Sequence, residues 1–380
     1  TLVGNIGYGI AVTDLSVNID RTAPAANGPL VYAITSGNQL ISFNSENPEY
    51  IRSQVAIGGL PAGYEVVGSD FRNANGGLYV LTYNTTSKTA RVNTINLTNG
   101  LLTPVSADSI TAIDLSGRVA MDFNPTVDRI RVVTSNEKNF RLHPVTGLLA
   151  ATDTSLSYAN ADVNFGKNPN IGSAAYTNAR FGATTTTLYT YDDSLNILTT
   201  QVPPNQGILN TVGNSGVIQS TATLTSDLDI YYHSMSGTDV AYFAADVTDT
   251  YDNLYTINLT TGAASLVGRI GTGSAIKDIA VKPDLSSVGI NGVRKEAGQL
   301  NISPNPVKDA TTLKFELAET QKYEIRILDI AGRTISVQHS KSATAGINTV
   351  NLNTADLNSG IYVVSVNLEN GESFAVKMIK

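Results

Sequence analysis

Cysteine and tryptophan are missing from all 380 residues. Without cysteine there can be no disulfide, no thiolate zinc site and no cysteine nucleophile. The fold must be held by its core alone, which a chain of this length can bury. Histidine is scarce too, with only His143, His233 and His339. None has a second histidine or a carboxylate at ligand spacing, so a zinc site is not expected. Basic residues number 25 against 32 acidic ones, for a net charge of −7. That balance argues against nucleic acid, which needs a basic footprint. No apolar run reaches about 18 residues, so no helical membrane span is expected. Glutamate is rare in the body of the chain, and no Gly-x-Ser-x-Gly elbow occurs.

What the chain does contain is repetition. Thr94-Ile95-Asn96-Leu97-Thr98-Asn99-Gly100 returns as Thr256-Ile257-Asn258-Leu259-Thr260-Thr261-Gly262, an offset of 162 residues or three units of 54. A second series runs Asp70-Phe71, Asp122-Phe123, Asp229-Ile230 and Asp278-Ile279, with Ala174-Ala175 in the third place. A period near 50 with short strands indicates propeller blades. Five blades are favoured, cut at 30–75, 77–125, 129–180, 187–233 and 239–283. A sixth follows if 1–27 pairs with 285–293. The expected organisation is an N-terminal extension (1–27), a β-propeller domain (28–285), a linker (286–298) rich in Gly and polar residues, and a C-terminal domain (299–380).

The last domain reads as a small antiparallel β-sandwich. Tyr323, Ile325 and Ile327 alternate with Glu324 and Arg326, and Tyr362, Val364 and Val366 share one face of a later strand. Pro304 and Pro306 suit a strand entry. Asp329 to Gly332 supply a turn, as does Gly360.

These residues also carry a resemblance. Pro304-Asn305-Pro306, Asp329 through Gly332-Arg333, Gly360-Ile361-Tyr362 and the final Lys377 to Lys380 appear in the order found in type A C-terminal sorting domains of the bacterial type IX secretion system. The resemblance implies export through the outer membrane of a diderm bacterium, to the medium or the cell surface. It implies as partners the outer-membrane shuttle and translocon barrels. A leader is then expected to have been removed ahead of Thr1. The body resembles a propeller-like domain family of unknown function, through Gly68 to Arg72, Asp122 to Val133, Asn168 to Asn178 and Gln201 to Gly213. That family brings a fold and no catalytic residues.

For activity, the first reading is a non-enzymatic exported propeller that binds a surface protein or glycan. The alternative is a polysaccharide hydrolase or lyase with acidic residues at the channel mouth. No catalytic or cofactor-binding residue stands out. Most Asp sit beside turn residues and are read as turn-makers. The one acidic loop with oxygen ligands for Ca²⁺ holds Asp246, Asp249 and Asp252. Arg129, Arg131 and Arg141 are expected on a polar strand face, the functional alternative being that they line the central channel and contact anionic sugars or a peptide carboxylate. Tyr79, Tyr176, Tyr189, Tyr231 and Tyr255 are expected to pack between blades.

Overall fold

The computed structural model describes residues 28–219, 226–234, 236–247, 251–271, 275–283, 300–317, 320–329, 334–338, 342–368 and 373–380. The extension 1–27 and the linker lie outside them, and with them the segments proposed to form a sixth blade. The architecture is all-β. Among the described residues the only helical element is a single 3₁₀ turn, Pro204–Gln206.

Five sheets occupy residues 30–281. The first holds β1 (Leu30–Thr35), β2 (Gln39–Asn44) and β3 (Asn47–Ala56). The second holds β4 (Glu65–Phe71), β5 (Leu78–Asn84), β6 (Thr89–Ile95) and β7 (Leu102–Pro104). The third holds β8 (Val119–Asn124), β9 (Arg129–Thr134), β10 (Asn139–Leu142) and β11 (Leu149–Thr152). The fourth holds β12 (Ser157–Tyr158), β13 (Ile171–Tyr176), β14 (Leu188–Asp192), β15 (Ile197–Gln201) and β16 (Ile208–Asn214). The fifth holds β17 (Ser226–His233), β18 (Thr238–Asp246), β19 (Asp252–Ile257) and β20 (Ala264–Arg269). Each is an antiparallel meander, except that β12 joins the outer edge of the fourth sheet in parallel with β16.

The first sheet takes its fourth strand from the far end of the body. β21 (Ile276–Val281) pairs with β1, from Val31 opposite Val281 to Thr35 opposite Ile276. This corrects the blade boundaries expected from sequence, which run one strand late. Glu65–Phe71 starts the second sheet instead of ending the first, and Val119–Asn124 starts the third. A repeat has no marked beginning, so its period is legible in sequence while its phase is not.

The core explains the strand composition. β5 reads Leu-Tyr-Val-Leu-Thr-Tyr-Asn and is buried on both faces. Such strands lose period 2 because each sheet is covered on both sides. One apolar layer joins the second and third sheets through Tyr79, Leu81, Phe123 and Ile130. Others join the third to the fourth, the fourth to the fifth and the first to the second. The fifth packs on the first through Tyr242, Leu254, Ile41 and Phe43. Tyr79, Tyr176 and Tyr231 lie buried in these layers and Tyr189 and Tyr255 pack against one of them, as expected. The innermost strands lie side by side in the order β4, β8, β13, β17, β21 and back to β4.

The C-terminal segment forms two sheets. β22 (Leu300–Ser303), β23 (Ala310–Leu317) and β27 (Gly346–Asn353) make one. β25 (Thr334–Gln338), β24 (Gln321–Asp329), β28 (Ile361–Leu368) and β29 (Ser373–Ile379) make the other, with β26 (Ser342–Ala343) on β24. Their facing apolar residues, Leu313, Phe315, Ile325, Val364 and Met378 among them, form a separate core, the sandwich expected from the alternation.

Candidate functional site

The Asp series converges where the innermost strands meet. Neighbouring inner strands share no ladder, so their amides need other acceptors. Carboxylates provide them. Asp70 on β4 accepts from the N–H of Phe123 on β8 at 2.7 Å. Asp122 on β8 accepts from Tyr176 on β13 at 3.2 Å. On β17, Asp227 accepts from Ile279 at 2.8 Å and Asp229 from Val281 at 2.5 Å, both on β21. Asp278 on β21 closes the set by accepting from the amide and hydroxyl of Ser69 on β4. The step from β13 to β17 lacks this rung, because Ala174 and Ala175 stand in the third place. There the hydroxyls of Ser173 and Ser226 meet at 3.2 Å. Arg118 also spans the gap, donating to Gly172 O and Ser226 O and pairing with the buried Asp193.

One carboxylate oxygen each from Asp70, Asp122 and Asp229 lies within 4.8 Å of the others. All are buried, so desolvation disfavours charge and the neighbouring carboxylates add repulsion. Burial, then Asp229, hold Asp70 well above the usual carboxylate range. Asp122 is raised by burial and then by Asp70, and Asp227 by burial and then by Asp278. Burial pushes Asp229 up to about 6 and Asp278 to about 7. Such a cluster can share protons or hold a cation. In sequence, Asp70, Asp122, Asp229 and Asp278 recur at a regular spacing and read as turn-makers, whereas the structure places them within strands; Asp227 lies outside that series. Their register forms two levels, Asp70, Asp122 and Asp229 at one and Asp227 and Asp278 two residues earlier along the strands.

True turn-makers are mostly Asn. In the repeated Thr-Ile-Asn-Leu-Thr motif, Asn96 Oδ1 accepts from Thr98 and Asn99, and Asn258 Oδ1 from Thr260 and Thr261. His143 takes the same role in the third sheet, where Nδ1 accepts from Val145 and Thr146. His233 Nδ1 accepts from Ser236. His339 lies outside the described residues.

The acidic loop, whose clustered carboxylates read in sequence as a solvated turn with Ca²⁺ ligation as the alternative, is not fully solvated. Asp246 and Asp252 face each other as cross-strand partners of β18 and β19, and both are buried. Burial first, and Asp246 with it, push Asp252 up to about 7. Asp252 Oδ2 accepts from Ile276, while its buried Oδ1 has no hydrogen-bond partner among the described residues. Asp249 lies outside the described residues. Arg131 and Arg141 are not on an open polar face. Both donate to Asp153, and Arg131, only 2% exposed, also reaches Asn139 and Asn205.

In the C-terminal sandwich the motif residues hold the chain end. Asn305 donates to Lys377 O and accepts from Ile379 N, both at 2.8 Å. It sits between Pro304, whose carbonyl accepts from Thr311, and Pro306. Gly360 and Lys380 exchange both backbone hydrogen bonds. The Tyr362 hydroxyl donates to Asn358 O at 2.8 Å, and Asp329 lies opposite Tyr362 in the register. Gly332 and Arg333 lie outside the described residues.

Two families match this chain. One is described as Domain of unknown function (DUF4394) and spans residues 39–280. The other, Secretion system C-terminal sorting domain, spans 301–380. No curated protein matches. A chain in a crystal structure of a nidogen/laminin complex aligns at 10% identity and TM-score 0.38, covering 67% of this chain and 98% of that one. PorZ, described as an essential bacterial surface component of the type-IX secretion system of Porphyromonas gingivalis, aligns at 14% identity and TM-score 0.28, covering 92% of this chain and 49% of PorZ. At these scores neither likeness bears on fold or function. The sorting domain marks the protein for export by the type IX system, to the cell surface or the medium. Among the described residues, no helix is long and apolar enough to cross a membrane.

Proposed function

The chain belongs to the DUF4394 family of domains of unknown function, and from that premise we propose that its body is a five-bladed β-propeller acting outside the cell as a non-enzymatic binding module. Three features support the propeller. The five sheets pack each on the next with the fifth on the first, β21 joins the first sheet to the end of the body, and the inner strands follow one another around a centre.

The observation that carries the binding role is the employment of the central carboxylates. Asp70, Asp122, Asp227, Asp229 and Asp278 each accept backbone N–H groups from the neighbouring inner strand. A general acid or base must instead reach the proton it transfers. These Asp are structural, and recognition falls to the loops. The sorting domain is proposed to engage the shuttle and translocon barrels during export. The competing reading, a polysaccharide hydrolase or lyase, draws on the close approach of Asp70, Asp122 and Asp229. Incubation with cell-wall and plant polysaccharides, followed by assay of new reducing or unsaturated ends, separates the two. Binding without product supports the module, and product lost in Asp122→Asn would establish the enzyme.

A further inference from the structure

The chain between β11 and β13 builds a pocket. It adds β12 to the fourth sheet and then returns through residues 159–170. With the β9–β10 turn it borders an open cleft of about 470 Å³, lined by Glu137, Ser157, Asn160, Phe165, Lys167 and Asn168 among others. This size lies within the range of small-molecule sites, about 300–1,000 Å³.

The loop is held in place by its own polar groups. Asp162 accepts from both the amide and the hydroxyl of Thr211 on β16, at 2.6 and 2.8 Å. Buried Asn164 donates to the Thr211 hydroxyl, and its Oδ1 accepts from Lys167 Nζ at 2.9 Å. From this fixed frame Phe165 stands 59% exposed at the cleft. An apolar ring held in water on a pinned loop loses little entropy when a ligand covers it.

We propose that this pocket binds a neutral glycan, a hexose unit stacking its C–H face on Phe165 while its hydroxyls meet Glu137, Ser157, Asn160, Lys167 and Asn168. The inference rests on the binding-module reading and gives it a site and a ligand class. One carboxylate and one ammonium balance, so the lining selects for no net charge. The side chains supply both donors and acceptors, as sugar hydroxyls require. A peptide is poorly served here, because the main chain is already paired. Leu156 N donates to Glu137 O, Ser157 N to Gly207 O, Ala159 N to Leu209 O and Lys167 N to Asn164 O.

The test is calorimetric titration of the full chain with cellotetraose, laminaritetraose, mannotetraose and chitotetraose in turn. At least one should bind. Phe165→Ala should weaken it by about tenfold or more, and Asn168→Ala should weaken it too. Phe181→Ala, another exposed aromatic, should change nothing, and all three variants should melt like the parent. No binding by any of the four would overturn the proposal. Undiminished binding in Phe165→Ala and Asn168→Ala would overturn the pocket while leaving the binding module standing. Cleavage of the tetrasaccharide, seen by mass spectrometry, would overturn the non-enzymatic reading itself.

Discussion

Each inner-strand carboxylate both ties two strands together and repels its neighbours, and the two effects respond differently to substitution. Asp122→Asn keeps an oxygen to accept from Tyr176 N while removing charge near Asp70 and Asp229. It should raise the melting temperature at pH 8. Asp122→Ala orphans that amide and should cost about 1–3 kcal/mol, read by denaturant unfolding. The cluster also sets a pH dependence. Asp229, Asp252 and Asp278 have folded-state values near 6, 7 and 7, above their unfolded values of about 4. The folded state therefore binds more protons in that window. Their stabilising contribution is full below about pH 4 and is lost as pH rises through 6 to 7. Asp153 and Asp162 are depressed and act oppositely, losing their contribution as pH falls below about 4. Melting temperature should fall between pH 5 and 8. An upward trend there would show that these carboxylates are not held neutral in the fold.

At the scale of elements, one hairpin turn recurs along the chain with different residues. Asn96, His143 and Asn258 each cap their turn with a side-chain acceptor, and Gly100, Gly147 and Gly262 close it at positive φ. Gly100 and Gly262 also lie against neighbouring backbone, where a Cβ would approach Ala56 O or Gly213 O within 2.4 Å. The match between Asn96 and Asn258 was legible because the letters agree. His143 escaped because Nδ1 does the work of an amide oxygen, an equivalence of atoms and not of residue names. His143→Asn should therefore melt within about 0.5 kcal/mol of the parent, whereas His143→Ala loses a cap at about 1 kcal/mol. In the sandwich, Asn305 fastens β29 from both ends of its amide. Asn305→Ala should destabilise that domain by about 1–3 kcal/mol, measured on its own unfolding transition.

For the whole molecule, the body depends on its last strand. Without β21 the first sheet would expose the edge of β1 and lose the apolar layer around Ile276, Ile279 and Val281. A chain ended after Ile270 should melt without a cooperative transition and bind hydrophobic dyes. A chain ended at Gly298 keeps β21 and should melt cooperatively, yet it lacks the sorting domain and should stay inside the envelope. Surface display of that truncation would refute the sorting assignment.

Strand content, the repeat near 54 residues and the alternating sandwich were all set locally, by propensity, turn residues and period. They are legible in sequence because each depends on neighbours along the chain. The phase of the repeat was decided only when β21 reached β1, since pairing over some 245 residues leaves no local mark. The same holds for Asp70, Asp122 and Asp229. Each is an ordinary Asp on its own strand, and only the packing of inner strands brings their oxygens within 4.8 Å and makes their charge costly. The pocket beside Phe165 likewise exists because Thr211, some 50 residues away, holds the loop in place.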